Sequence, residues 1–147
     1  MGRWYVAASI PTYFEKGATN CVEDYIWDEG EGRVQVRFSY TKPGGGEGAI
    51  LQRATMVNPP SNTEWAISPK LGVYLPLGLG YILCHCADDY SSCIVGLPDR
   101  SNVWIMGRDR CLPPAVYADG LRRVEALGFD MSKVVRIFHD GEPEPES

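Results

Sequence analysis

Short runs in which apolar and polar residues alternate recur along most of this chain, each bounded by Gly, Pro, Asn or Asp. In Arg33–Tyr40, Val34, Val36 and Phe38 fall on one face, with polar residues between them. This period of two is typical of a β-strand with one buried face. Comparable runs occur at Trp4–Ser9, Cys21–Trp27, Ala49–Val57, Thr63–Ser68, Tyr81–Ala87, Ser92–Val95 and Asn102–Arg108. About eight short strands joined in series predict an all-β fold, either a closed antiparallel barrel or a sandwich.

A different period follows the last of these runs. After Pro113, apolar residues recur at helical spacing as far as Leu127, and Gly128 provides a stop. Proline is tolerated in the first turn of a helix, which agrees with a helix that begins here. One helix is therefore predicted near the C-terminus, and Met131–Phe138 is expected to form a short last strand.

The chain of 147 residues has the size of one domain, and 44% of its residues are hydrophobic. We expect a barrel domain over residues 1–140 and a disordered acidic tail over 141–147. The net charge of −5 argues against a nucleic-acid partner, because such binding requires clustered Lys and Arg. No apolar run reaches the roughly 18 residues of a transmembrane helix, and no signal peptide is visible in the chain.

The cysteines number five, so at least one of them has no partner within the chain. They are either mostly free, buried thiols or they include one disulfide, for which Cys21–Cys111 is the candidate. The run Cys84–Cys86 includes a histidine, but neighbours on a strand point to opposite faces, so no metal site is predicted. A redox pair between Cys86 and Cys93 across a hairpin is a further alternative.

The sequence contains no recognisable catalytic constellation. The G-x-S-x-G motif of hydrolases and the phosphate-binding P-loop are both absent. Carboxylates are scattered through the turns, where solvated surface charge is the ordinary interpretation. Glu23 could point inward and act as a polar anchor, but it is not among the predicted ligand-binding residues. We therefore expect a protein without enzymatic activity.

Three local motifs occur in the order and spacing of a known family. The first is Gly2–Tyr5, which reads G-R-W-Y, the second joins Gly96–Arg100 to Val103–Arg108, and the third is Leu127–Lys133. Together they resemble the lipocalins, and the chain looks most like the bacterial-type, apolipoprotein-D-like and plant temperature-induced members. The resemblance extends over roughly residues 2–138. It implies an eight-stranded up-and-down antiparallel β-barrel, or calyx, with one C-terminal α-helix packed outside and a short last strand.

The resemblance also implies how one end of the barrel is closed. Trp4 would plug the narrow end, and the guanidinium of Arg108 would lie over the indole ring. Such a cation–π contact contributes roughly 1–2 kcal/mol when it is desolvated. The alternative is that Trp4 is an ordinary core aromatic residue and Arg108 a surface charge.

An eight-stranded barrel is wide enough to hold one small ligand. Because interior and exterior residues alternate, an inward Arg108 places Met106 and Trp104 inside, and the resemblance makes the face of Ile82 and Cys84 an inner one. The predicted ligand-binding residues are apolar or aromatic: Tyr25, Val36, Phe38, Trp65, Ile67, Ile82, Cys84, Val95, Trp104 and Met106. A filled barrel without room for a ligand is the alternative.

The connection at 71–80 is almost wholly apolar, although connecting segments run over the surface. A contiguous exposed apolar patch marks a contact with a partner or a bilayer. The segment resembles the hydrophobic, proline-containing loop of temperature-induced lipocalins, which implies peripheral membrane contact. The residues assigned to this contact are Val73, Tyr74, Leu75, Pro76, Leu77 and Leu79. A lid folded over the barrel mouth is the alternative.

The expected function is to carry or sequester one small hydrophobic ligand, such as a fatty acid, a lysophospholipid, a sterol or a carotenoid-like pigment. No cofactor other than such a bound lipid or pigment is expected. The expected location is the periphery of a membrane, on its cytoplasmic face or in a plastid, and the resemblance adds a role in stress response. Two alternatives are an accessory subunit docked to a membrane protein complex through the 71–80 loop and a lipocalin-fold enzyme that acts on a lipid or carotenoid.

Overall fold

The computed structural model describes residues 1–75 and 78–141, with only the backbone of residue 71. The strands in this part of the chain are β1 (Gly2–Ile10), β2 (Thr19–Asp28), β3 (Arg33–Thr41), β4 (Glu47–Met56), β5 (Glu64–Leu71), β6 (Val73–Tyr74), β7 (Leu79–Cys86), β8 (Ser92–Gly96), β9 (Val103–Gly107) and β10 (Val135–Arg136). One α-helix, α1, spans Pro114–Ala126, and short 3-10 helices occupy Tyr13–Glu15 and Met131–Lys133. Residues 142–147 of the expected tail lie outside the described residues.

Eight of the strands close into one antiparallel barrel with up-and-down connections. Their order is β1-β2-β3-β4-β5-β7-β8-β9, and β9 pairs with β1 to complete the circuit. The closing pairs run from Tyr5 and Gly107 to Ile10 and Val103. Outside the circuit, β6 pairs with β5 and β10 pairs with β1. The predicted eight-stranded up-and-down barrel is confirmed.

The alternation in the sequence becomes the inner and outer faces of the barrel wall. In β3, Val34, Val36 and Phe38 are buried in the interior, and Arg37 between them is exposed. Pleating directs successive side chains to opposite faces, so each amphipathic strand adds one row to the core. Burial of these apolar rows stabilises the barrel by about 25 cal/mol for each Å² removed from water.

The helix packs against the outside of the barrel. Val124 is buried against Ile94 of β8 and Ile105 of β9, and Phe129 beyond the helix completes this outer cluster. A Cβ added to Gly120 would lie 3.1 Å from Ile105 Cγ2, so this glycine allows the helix to come close to the wall. The predicted outer helix is confirmed. No helix in residues 1–75 and 78–141 has both the length and the apolar character that a bilayer crossing requires.

The last strand is shorter than Met131–Phe138, the segment expected to form it. Its first residues form a 3-10 helix, because the Asp130 side chain accepts a hydrogen bond from the Ser132 backbone N–H at 3.0 Å. Only Val135–Arg136 then pairs with β1.

Candidate ligand-binding site

The two ends of the barrel differ, and we call the end that carries Trp4 and Arg108 the base and the opposite end the mouth. The Arg108 Cζ lies 3.6 Å from the centroid of the Trp4 ring. The same guanidinium donates hydrogen bonds to the carbonyls of Arg3, at 2.9 Å, and Tyr90, at 3.2 Å. The stack that the family resemblance implies is therefore present, and it is tied to two backbone segments of the base.

Aromatic side chains form a continuous row across the interior. The rings of Tyr25 and Trp65 lie 5.6 Å apart, those of Trp65 and Tyr81 5.9 Å, and those of Tyr81 and Trp104 6.1 Å. The Tyr25 and Tyr81 hydroxyls are hydrogen bonded to each other. Burial first, and then the negative charge of Glu23, raises the pKa of both tyrosines well above the usual range. These phenols are therefore neutral hydrogen-bonding groups inside the barrel.

A cavity of about 150 Å³ remains between this aromatic row and the base. Its walls are formed by Met1, Trp4, Tyr25, Trp65, Tyr81, Leu83, Cys86, Tyr90, Cys93, Val95, Met106 and Arg108. The lining is almost entirely apolar or aromatic, as in a typical site for a hydrophobic molecule. The interior is thus largely filled but not solid.

The residues predicted to bind a ligand fall into three groups. Those that line the cavity are Tyr25, Trp65, Val95 and Met106. Those that belong to the same interior core without lining the cavity are Val36, Phe38, Ile67 and Trp104. The remaining two, Ile82 and Cys84, are not in the interior core.

The inward orientation predicted for Ile82 and Cys84 is wrong. Cys84 packs against the outer cluster beneath α1. Ile82 pairs with Gly96, at which an added Cβ would meet Phe129 of that same outer cluster. Both side chains therefore belong to the outer face of β7.

The interior positions of β7 are Tyr81 and Leu83, which the sequence analysis did not select. Up to Leu83 the strand alternates regularly, but the pairing with β8 shifts between Leu83 and His85. Such a bulge adds one residue to the strand and reverses which face the following residues occupy, so Cys86 again lines the cavity. Apolar residues occupy both faces of this strand, so the period of two carried no signal that could have distinguished inside from outside.

Glu15 is a buried acid near the mouth with a full set of partners. Its Oε1 accepts a hydrogen bond from Trp104 Nε1 at 2.9 Å, and its Oε2 accepts one from the Thr12 backbone N–H at 3.1 Å. The carboxylate therefore both caps the first 3-10 helix and fixes the Trp104 indole. The sequence analysis did not identify this role, although the spacing of Thr12 and Glu15 is that of a capping box.

Glu23 is a second buried acid, and it lacks such partners. It is 6% exposed, and its Oε2 makes no hydrogen bond within the described residues. Burial, and then the negative charges of Glu15 and Asp24, raises the pKa of Glu23 to about 8. The acid is therefore mainly protonated at neutral pH. Its position between the inward Cys21 and Tyr25 was the available signal for its orientation.

All five cysteines are free, so the alternative of a Cys21–Cys111 disulfide is not realised. Cys21 is buried, whereas Cys111 is exposed. Burial chiefly raises the pKa of Cys21 and of Cys93 to about 12, which keeps both as thiols. Cys86 and Cys93 are directly paired across β7 and β8, and both line the cavity. In the part of the chain that is described, no three His, Cys, Asp or Glu side chains group to hold a metal ion.

The apolar connection between β5 and β7 divides into anchored and exposed residues. Val73 is 72% exposed and Leu79 52%, whereas Leu75 is half-buried. Tyr74 lies against the outer wall: its hydroxyl donates to Gln35 Oε1 at 3.1 Å, and Arg53 Cζ lies 4.3 Å from its ring centroid. The other two residues assigned to this contact, Pro76 and Leu77, lie outside the described residues.

The sequence, the closed barrel and the stacked base can be compared with known proteins. The family model for the lipocalin-like domain matches residues 1–139. The chain belongs to the lipocalin family. Lipocalins are in general binding proteins for small hydrophobic molecules, so family membership supports ligand binding in this barrel.

Two lipocalins with similar sequences and one similar structure illustrate the relationship. Temperature-induced lipocalin-1 of Arabidopsis thaliana is 28% identical over 153 aligned positions, which cover 100% of this chain and 80% of that protein. Apolipoprotein D of Oryctolagus cuniculus is 35% identical over 143 positions, covering 91% and 71%. H1 crustacyanin of the lobster Homarus americanus superposes with a TM-score of 0.73 at 11% identity, covering 95% of this chain and 77% of that one. The structural match shows the shared fold.

Proposed function

We propose that this lipocalin binds one small apolar molecule inside its barrel and carries it, without transforming it. The observation that supports this is the apolar and aromatic cavity between the aromatic row and the stacked base. Each methylene group buried there would contribute about 0.8 kcal/mol to binding. Reversible burial of this kind needs no reactive group.

The volume of the cavity restricts the ligand. Pockets for drug-sized ligands have about 300–1,000 Å³, and this cavity has about 150 Å³. A short or slender molecule fits it directly. A sterol or carotenoid-like molecule requires the rings of the aromatic row to move, and Trp65, which is only partly buried, is the member best placed to do so.

The experiment that tests carriage is native mass spectrometry of the full chain, followed by titration with a fluorescent fatty probe. We expect one bound molecule per chain. Val95→Trp fills the cavity from β8 and should abolish saturable binding. Leu51→Trp, on the exposed outer face of β4, is the matched control and should bind normally.

Two outcomes would count against carriage. A barrel that purifies empty and shows no saturable binding of fatty acid, alcohol or retinoid probes would overturn the proposal. An empty barrel recovered only within a larger assembly would instead favour the alternative of an accessory subunit.

We further propose that this lipocalin lies at the periphery of a membrane, which it contacts through the connection between β5 and β7. The exposure of Val73 and Leu79 supports this contact, because two large apolar side chains at the mouth gain by leaving water.

The test is co-flotation with phosphatidylcholine vesicles, chosen because a chain with a net charge of −5 is repelled by anionic lipid. Val73→Asp should reduce co-flotation several-fold. Val57→Asp, which alters an exposed valine at the base, should not, and equal loss in both variants would contradict the proposal.

A further inference from the structure

Glu23 occupies a position where burial of an acidic side chain is energetically unfavourable. It lies on the inner face of β2, paired with Trp4 of β1 on one side and Phe38 of β3 on the other. Both neighbours are buried apolar residues. A buried polar atom without a hydrogen bond has lost its hydration and gained no partner, which is unfavourable. Glu23 Oε2 is such an atom, and it is the only one among the described side chains.

Within the part of the chain that the structure describes, no Lys or Arg forms an ion pair with Glu23. Among the described residues, the buried charged or ionisable side chains other than Tyr and Cys are Glu15, Glu23 and His139. His139 packs on the outer side of the wall, edge to face with the Tyr5 ring, and its Nε2 is hydrogen bonded to the Val6 carbonyl oxygen. The groups whose charges influence Glu23 are themselves acids, Glu15 and Asp24. The environment of Glu23 is therefore electronegative.

Glu15 is a buried acid whose role in this barrel is purely structural. Both of its oxygens accept hydrogen bonds from the protein, and it fixes Trp104. Glu23 Oε2 performs no comparable task, although it lies in the same interior. Packing and capping therefore account for the burial of Glu15 but not for the burial of Glu23.

Glu23 is adjacent to the cavity. Trp4, its partner across β1 and β2, lines the cavity, and so does Tyr25, two residues further along the same inner face. The hydroxyl contact between Tyr25 and Tyr81 lies close enough to Glu23 for its charge to act on both phenols. Glu23 does not itself line the cavity, so a polar group of a bound molecule would have to reach it beside Trp4 and Tyr25, which do.

We propose that Glu23 is the polar anchor of the bound molecule and that this molecule is a neutral apolar alcohol, whose hydroxyl is hydrogen bonded to Glu23 Oε2 while its hydrocarbon part fills the cavity. The inference rests on the proposed carrier function and names the class of ligand. Tyr25 and Tyr81 supply further hydrogen bonds to the same hydroxyl.

A hydroxyl suits this position better than the other polar ends of lipids. It both donates and accepts, so it satisfies Glu23 whether or not the acid carries its proton. An ionised fatty acid would bring a second negative charge toward Glu23 once that acid is itself ionised, and like charges in a low-dielectric interior repel strongly. The Arg108 guanidinium, which lines the cavity, is already held over Trp4 and by two backbone carbonyls. The barrel should therefore bind a carboxylate less well than a hydroxyl when Glu23 is ionised.

The test compares three ligands that share one octyl chain: octanol, its methyl ether, which lacks the donor, and nonanoate. Each displaces a fluorescent apolar probe from the full chain at about pH 9, where Glu23 is mainly ionised and can only accept a hydrogen bond. We expect the wild type to prefer octanol over the other two by about tenfold, the effect of one satisfied buried group. Glu23→Leu should bind all three about equally. Glu23→Gln can donate to the ether oxygen as well as bind the hydroxyl, so it should bind octanol and the ether about equally. Glu47→Leu, at an exposed acid, is the control and should keep the preference of the wild type.

The outcomes separate this inference from the carrier function. If Glu23→Leu still prefers octanol, the anchor is wrong and carriage stands. If the wild type binds none of the three ligands nor the probe, carriage itself fails. Should Glu23→Leu not fold, the infrared carbonyl band of Glu23, assigned by comparison with Glu23→Gln, gives an independent answer. It should shift when octanol binds, and an unchanged band would overturn the proposal.

Discussion

Glu15 and Glu23 both lie inside the barrel, but their neighbours interact with them in opposite ways. Glu15 is held by an indole N–H and a backbone N–H, whereas Glu23 is enclosed by apolar side chains. Burial without hydrogen-bond partners disfavours the charged form of Glu23 and raises its pKa. The state of Glu23 should therefore depend on pH within the range in which the protein functions.

Replacing Glu23 by Gln should stabilise the fold at alkaline pH. The pKa of Glu23 rises from an ordinary value of 4.5 to about 8 on folding. At pH 4 the acid is protonated in both states, so wild type and Glu23→Gln should have similar free energies of unfolding. As the pH rises from about 4.5 to 8, the unfolded chain releases a proton that the folded chain keeps, and the wild type loses stability.

Above pH 8 that loss is nearly complete, and the advantage of Glu23→Gln should level off on the order of 5 kcal/mol, since a tenfold change in an ionisation constant corresponds to about 1.4 kcal/mol. Urea denaturation at pH 4, 6 and roughly 8.5 measures the difference in free energy of unfolding between Glu23→Gln and the wild type. Glu47→Gln removes an exposed acid and controls for the change in net charge. A difference between Glu23→Gln and wild type that does not vary with pH would contradict the assignment.

At the scale of elements, one extra residue in β7 determines which face of the barrel wall its last residues occupy. The bulge between Leu83 and His85 returns Cys86 to the interior and leaves Cys84 under the helix. The helix in turn depends on Gly120, where the wall comes closest. The two cores on either side of the wall are therefore separate: one surrounds the cavity, and the other holds the helix.

A larger side chain at Gly120 should loosen the helix without affecting ligand binding. Overpacking of this kind costs about 1–3 kcal/mol, so Gly120→Leu should lower the free energy of unfolding. Gly120→Ala is the matched variant: it gains helix propensity of about 1 kcal/mol, and its Cβ meets Ile105 at only 3.1 Å, so it should remain near wild type. Denaturation and probe titration measure both effects. Loss of probe binding in Gly120→Leu would show that the two cores are coupled.

On the scale of the whole molecule, closure of the barrel leaves the small cavity near its stacked base. A ligand that binds there contacts the inner faces of several strands at once and is absent from the unfolded chain. Binding should therefore stabilise the molecule as a whole.

Octanol should raise the midpoint of thermal unfolding in proportion to the logarithm of its concentration. At a free octanol concentration of 100 times Kd, binding should add about 2.7 kcal/mol to the free energy of unfolding. Differential scanning calorimetry of the wild type measures the shift. Val95→Trp, with the cavity filled, should show none, and an equal shift in that variant would place the ligand outside the cavity.

The sequence by itself determined the strands, the helix and the family. Alternation in runs such as Arg33–Tyr40 identified one buried face per strand, and the Pro113 and Gly128 signals set the helix. These features are local: the period of side chains and the preferences of Pro and Gly act within a few residues. The family resemblance carried by the G-R-W-Y motif and by the motif that ends at Arg108 implied the stack of Trp4 and Arg108, and the structure contains it.

Only the tertiary structure decided which faces line the cavity and how the buried acids differ. The inner face of β7 cannot be told from the outer one by pattern, because the strand is apolar on both sides, and the bulge that returns Cys86 to the interior leaves no trace in the sequence. The partners of Glu15 and the isolation of Glu23 depend on residues as distant in sequence as Trp104 and Tyr81. Burial and hydrogen bonding are properties of a three-dimensional environment, so an acid in the sequence acquires its chemical role only when the barrel closes around it.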